Sequence, residues 1–258
     1  MELDSRVEPS DLIAKSHSNC SFLIVRMLLA VPLFLLVDSE YGDLIFYGHG
    51  QQLALLLTFV GFVYAYRRSA QRVKCVMLIG MVIGMAGEIF LSLGLGMYHY
   101  RLENVPLWVI FAHGIAFAAF YKLSHTPSVW RNREHIQKLI IAFAIVYAFI
   151  LLTLFNDWFG FLCTIAFFFI LFAAKKSRLF FLIMYVAVCY IELVGTLSGC
   201  WYWPEMAFGL FPWLPSGNPP SGIAVFYFLF DAAVFYIYMY IIYPGTRQRY
   251  QKMMLKRA

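Results

Sequence analysis

The sequence predicts an all-α integral membrane protein with about eight transmembrane helices, arranged as two parallel four-helix repeats with both termini in the cytoplasm. Three observations lead there. Of the 258 residues, 62% are apolar, 19% aromatic and only 13% charged, far outside the range of soluble domains. The basic residues gather on alternate connections between apolar runs, as cytoplasmic loops do. Two lone glutamates, Glu88 and Glu192, stand in the same local pattern 104 residues apart.

In chain order, residues 1–19 are polar and acidic and lack the basic start and small-residue cleavage site of a signal peptide; a short cytoplasmic tail is expected. Apolar segments follow at 20–37, 50–66, 75–97 and 106–123, forming a first membrane repeat over 20–123. A cytoplasmic linker, 124–138, leads to segments at 139–155, 158–174, 179–199 and 222–243, the second repeat over 139–243. A basic tail, 244–258, closes the chain. With the N-terminus inside, Arg67, Arg68, Arg72 and Lys74, then Lys122, Arg131, Arg133 and Lys138, then Lys175, Lys176 and Arg178 all fall on the cytoplasmic face. Only Arg101 falls outside. The net charge of +6 is therefore a topology signal for a multi-pass protein of the cell membrane, and it argues against a nucleic-acid partner. The first segment carries Arg26 and Pro32; letting it skim the surface would give seven spans and break the charge sorting.

The repeat rests on spacing. Each glutamate lies fourteen residues after a basic residue (Lys74, Arg178) and ten before a tyrosine (Tyr98, Tyr202). AYRRS at 65–69 sits over AAKKS at 173–177, and HGIAFAAFY at 113–121 over SGIAVFYFL at 221–229. Self-similarity of this kind marks an internal duplication, and four helices per half sets both halves in one orientation.

The candidate catalytic residues are the three acids within spans, Glu88, Glu192 and Asp231. At 1.5 Å per residue, fourteen residues lift each glutamate ~21 Å from the inner helix end, into the outer third of a ~30 Å hydrocarbon core. Asp231 is ~13 Å deep in a helix entering from outside. Acids at membrane depth are expensive and mark function, although a carboxylic acid that merely ties helices together is the plain structural alternative. No lysine or arginine lies at that depth. Desolvation then favours the neutral acid, which can protonate a substrate.

Above them two outer loops concentrate unusual residues: MYHYRLENVPLWV at 97–109 and CWYWPEMAFGLFPWLPSGNPPSG at 200–222. Tyr and Trp at this level form interfacial belts, but a belt does not need interleaved polar residues. The loops read as a lid or pocket wall, with Tyr98, Tyr100, Arg101, Trp201, Tyr202, Trp203 and Asn218 as candidate substrate-binding residues. His113, inside the fourth segment at similar depth, joins them. Gly80, Gly84 and Gly87 share one helical face, and Gly195 and Gly199 follow Glu192 at helical spacing; these are expected to be packing positions that make the third and seventh helices central. The six histidines form no HxxxH or HxxHH cluster, and the five cysteines show no paired metal spacing and no disulfide framework. Without a phosphate-binding glycine loop, GxSxG or CxxC, no metal and no cofactor are expected.

The two outer-end motifs resemble the membrane carotenoid-biosynthesis family of bisanhydrobacterioruberin-type carotenoid hydratases. That family carries an E-x-x-G-x-x-x-G stretch running to Y-x-Y and V-P, and a G-x-W-x-W stretch leading to a G-x-P-x-x-N-type loop. Glu192, Gly195 and Gly199 match the first, as do Glu88, Tyr98, Tyr100, Val105 and Pro106 in the first half; Gly199, Trp201, Trp203, Pro215 and Asn218 resemble the second. Leu91 stands where the first-half glycine belongs, and Pro219-Pro220 follows Asn218 where an aromatic belongs. The resemblance implies acid–base hydration, isomerisation or cyclisation of a long isoprenoid or lipid, with Glu88 and Glu192 dividing the acid and base roles. Two other classes share the sequence features: a transporter coupled to protonation of the acids, and a structural membrane subunit. The oligomeric state is left open.

Overall fold

The computed structural model describes residues 9–174 and 177–245. The ends of both expected tails, and Lys175 and Lys176, lie outside the described residues. The helices are α1 (Pro9–Asp38), α2 (Glu40–Ile45), α3 (Gly50–Arg67), α4 (Gln71–Glu88), α5 (Trp108–Ser124), α6 (Pro127–Arg131), α7 (Arg133–Phe155), α8 (Trp158–Ala173), α9 (Arg178–Leu197) and α10 (Ala224–Tyr236). An α-helix thus occupies each of the eight expected apolar segments. Helix α1 starts at Pro9, inside the expected tail, and α6 and the first turn of α7 occupy the expected linker. Among the described residues, four helical stretches are long and apolar enough to cross a membrane: Gln71–Gly94, Arg133–Phe155, Arg178–Leu197 and Ala224–Ile242. Helices α5 and α8 are apolar but shorter. The chain is a helical membrane protein.

Two helices end in π-helical turns, α4 through Ile89–Gly94 and α10 through Ile237–Ile242. A π turn carries one more residue than an α turn and recurs near functional sites. Among the described residues, the exceptions to all-α are four short strands. The pair β1 (His99–Tyr100) and β2 (Trp201–Tyr202) joins the 97–109 and 200–222 loops antiparallel, and β3 (Met206–Ala207) with β4 (Phe211–Pro215) makes a hairpin within the second.

Helix α9 is the axis of the molecule: 61% of its apolar window is buried, against 17% for α7. It meets α1, α5, α7, α8 and α10. Phe181 of α9 stacks on Phe228 of α10, and Phe180 meets Phe117 of α5 and Phe235 of α10 edge-on or tilted. Helix α4 lays its glycine face on the neighbours: Gly80 and Gly84 face Phe117 and His113 of α5, and Gly87 faces Phe230 of α10. The expected centrality of these two helices is observed.

Three polar devices fix the connections. Asp157 is fully buried between α7 and α8, where its Oδ1 accepts from Gly160 N (3.0 Å) and Gly217 N (2.8 Å) and its Oδ2 from Ser221 N (2.7 Å). One side chain thereby caps α8 and pins the proline-rich loop. Asp43 Oδ1 accepts from Gly50 N (2.9 Å) at the start of α3 while its Oδ2 pairs with Arg101 Nη1 (2.7 Å). In α1, Pro32 has no N–H to give to Leu28, and the orphaned Leu28 carbonyl accepts instead from Tyr190 Oη of α9 at 2.6 Å.

Candidate functional site

Glu88 closes α4 and Glu192 lies in the C-terminal half of α9; both are 3% exposed. Glu88 Oε2 accepts from the hydroxyls of Tyr98 and Tyr100, the latter at 2.8 Å, and Oε1 lies 3.0 Å from His113 Nε2 of α5. Glu192 Oε2 accepts from the indole Nε1 of Trp201 (2.8 Å) and Trp203 (3.1 Å), and Oε1 accepts from the Tyr227 hydroxyl of α10 (3.1 Å). The plan is the same twice. One oxygen is held by two aromatic donors spaced i, i+2 in the extended segment that contains β1 or β2, and the other is addressed by one donor on the next apolar helix.

The strands explain the i, i+2 spacing. Alternate side chains of a strand point to one face, so Tyr98 and Tyr100, and Trp201 and Trp203, turn inward while His99 and Tyr202 turn away. The antiparallel register pairs His99 with Tyr202 and Tyr100 with Trp201. Across it the inward rings interleave, Tyr98 with Trp203 at 4.8 Å and Tyr100 with Trp201 at 6.0 Å. Burial, then the charge on Glu88, holds both phenols well above the usual tyrosine range, so they stay protonated donors.

The counterpart of Tyr98 is thus Trp201, not Tyr202 as the sequence spacing suggests. The donors follow Glu88 by ten and twelve residues but Glu192 by nine and eleven. The extra residue of the π turn after Glu88 accounts for the offset. Glycines make room for the donors. A Cβ at Gly84 would collide with the His113 ring, and one at Gly195 with the Trp201 indole.

Both carboxyl groups line one cavity of about 90 Å³, walled also by Tyr100, Trp108, His113, Ile191, Trp201 and Tyr227. Of the expected site residues, Glu88, Glu192, Tyr98, Tyr100, His113, Trp201 and Trp203 come together here. Four do not. Tyr202 is 47% exposed and stacks on His99. Arg101 turns away to the Asp38 carbonyl (Nη2, 2.9 Å) and Asp43. Asn218 Oδ1 accepts from Trp203 N (3.0 Å), and so positions an indole without lining the cavity. Asp231 lies outside the cavity wall, one turn beyond Tyr227, and makes no hydrogen bond or ion pair with a described residue. A cation to receive it is missing among the described residues, and the helix turns its tyrosine to the cavity instead.

Tyr227 is the cavity residue that the sequence spacing misplaces. Matching 113–121 with 221–229 sets Ser221 opposite His113, yet Ser221 belongs to the Asp157 clamp and Tyr227 takes the equivalent position on the carboxylate. Its signal was a tyrosine one helical turn before Asp231 on an otherwise apolar face. Among the described residues no group of three or more histidine, cysteine or acidic side chains is placed to hold a metal ion. Comparison with protein-family models, curated proteins and solved structures finds no match.

Proposed function

We propose that the chain is an eight-span membrane enzyme, two parallel four-helix halves with cytoplasmic termini, that performs acid–base chemistry on a long apolar isoprenoid or lipid between Glu88 and Glu192. The reading rests on one observation: the two buried carboxyls line a single cavity, and all their partners are aromatic or imidazole donors rather than lysine or arginine. A carboxyl neutralised by a salt bridge has no proton to give; one held by phenols, indoles and imidazole can give and take one.

The donors divide the work. Indole N–H only donates and never accepts, so Trp201 and Trp203 fix Glu192 Oε2 in place and leave Oε1 as the oxygen that carries a proton. Tyr227 and His113 both donate and accept, so each can pass a proton along the cavity wall. In a hydration, the carboxyl proton goes to one alkene carbon and the π pair forms the C–H bond, leaving a tertiary cation. The aromatic faces around the cavity stabilise that cation. Water then adds, its surplus proton goes to the second carboxylate, and His113 and Tyr227 restore the starting protonation states. Loss of a neighbouring proton in place of water addition gives isomerisation, and attack by a second alkene gives cyclisation. The resemblance to the carotenoid hydratases favours hydration.

The test is mass spectrometry of lipid extracts from an isoprenoid-producing host expressing the wild-type chain, Glu88→Gln or Glu192→Gln. A new isoprenoid or lipid species with the wild type, lost in both variants at equal protein level, is expected. An unchanged lipid profile, or full conversion by both variants, overturns the reading.

A further inference from the structure

We propose that the groove between α1 and α9 holds the apolar chain of the substrate whose reacting end lies between the two glutamates; this rests on the function proposed above. The groove has a volume of about 250 Å³, and all its exposed wall atoms are apolar. Ile24, Leu28 and Val31 on one face of α1 oppose Ile183, Ala187 and Ile191 on one face of α9. Ile191 is also a wall of the carboxylate cavity, so a single side chain stands between the two spaces.

Three observations decide what the groove takes. The carboxylate cavity, about 90 Å³, has room for a reacting group and not for a long molecule, and the groove lies on the other side of Ile191. From Ile191 to Ile183 the groove follows α9 for ~12 Å, enough for an extended hydrocarbon chain to lie along the helix. Ile24 and Leu28 are 40% and 47% exposed at the rim, so the groove opens sideways into the hydrocarbon phase, where such a substrate is dissolved. The rim is held by the Tyr190–Leu28 hydrogen bond, which joins α1 to α9 through the carbonyl that Pro32 leaves free. The chain slides in beneath that tie and its reacting end is presented to the carboxyls.

The experiment uses the full-length protein in nanodiscs with two photoprobes: geranylgeraniol carrying a terminal diazirine, and a phosphatidylcholine carrying the same diazirine on an acyl chain. Cross-linked peptides are mapped for the wild type, Ala187→Leu and Ala187→Trp. Geranylgeraniol labelling of residues 24–31 and 183–191 at least tenfold above the phosphatidylcholine probe, lost stepwise in the two variants, supports the proposal. Equal labelling by both probes means bulk lipid fills the groove and overturns it, as does selective labelling that survives in a correctly folded Ala187→Leu protein. The two failures separate cleanly. If Glu88→Gln and Glu192→Gln abolish conversion while the groove labels with both probes alike, the groove assignment falls alone. If the groove labels selectively while both glutamine variants convert normally, the acid–base reading falls and the binding groove stands.

Discussion

His113 and Tyr227 stack with ring centroids 6.0 Å apart and planes inclined by 26°, and each addresses a different glutamate. The one contact between the α5 and α10 donors therefore couples the two carboxyls across the cavity.

Glu88→Gln and Glu192→Gln should each lower turnover by about 10²- to 10⁴-fold, the usual contribution of a positioned acid or base. The fold should survive, because glutamine fits both sites. At Glu192 only one amide orientation is allowed: the oxygen must face the two indole N–H groups and the NH₂ must face the Tyr227 oxygen, which can accept. Thermal unfolding of the purified variants within a few degrees of wild type, together with lost conversion, is the expected pair of results.

Gly84→Ala and Gly195→Ala test the positioning of the donors. Each added methyl drives into a ring that holds a carboxylate, His113 in one case and Trp201 in the other. Overpacking of this kind costs about 1–3 kcal/mol. Turnover should fall more than stability in both, and Gly195→Ala should change the fluorescence of the Trp201–Trp203 pair where Gly84→Ala does not.

Asp157→Ala should be strongly destabilising while leaving the carboxylate cavity's own groups unchanged. It orphans three buried N–H groups at once, each loss worth about 1–3 kcal/mol. Asp157→Asn should recover only part of this, since its NH₂ cannot accept from either Ser221 N or the two glycines. Thermal unfolding of the three proteins should rank wild type, Asn, Ala.

Arg101→Lys separates support from substrate binding. The guanidinium spans the Asp38 carbonyl and the Asp43 carboxylate with different nitrogens, a fork that an ammonium cannot reproduce. The variant should unfold at lower temperature with its KM unchanged; a raised KM at wild-type stability would return Arg101 to the substrate.

Tyr190→Phe removes the donor to Leu28 and should cost about 0.6 kcal/mol, the average for such bonds between membrane helices. Equilibrium unfolding in detergent by a titrated denaturant checks it.

The sequence made the apolar segments legible because membrane spans announce themselves by composition, and a helix stands at each expected position. It also exposed Glu88 and Glu192, since a carboxyl in an apolar run has few benign explanations. What it hid were relations that depend on one residue of register. Tyr202 resembled Tyr98 by spacing, but the π turn after Glu88 shifts the first-half strand by one and gives Trp201 the role. Arg101 and Asn218 were rightly noticed as unusual in their loops, yet their chemistry is spent on holding those loops. Asp157 gave no signal, as a lone aspartate in a two-residue connection reads as an ordinary turn.

The π turn at Ile89–Gly94 acts as a one-residue gear between a helix and a strand. A helix tolerates a lost residue by rotating, but a strand answers in binary, presenting either one set of side chains or the other. Winding the same residues as an α turn would therefore leave α4 intact while delivering Met97 and His99, nine and eleven residues on, toward Glu88 in place of Tyr98 and Tyr100. A thioether and an imidazole would then face the carboxylate, and both phenol donors would be lost.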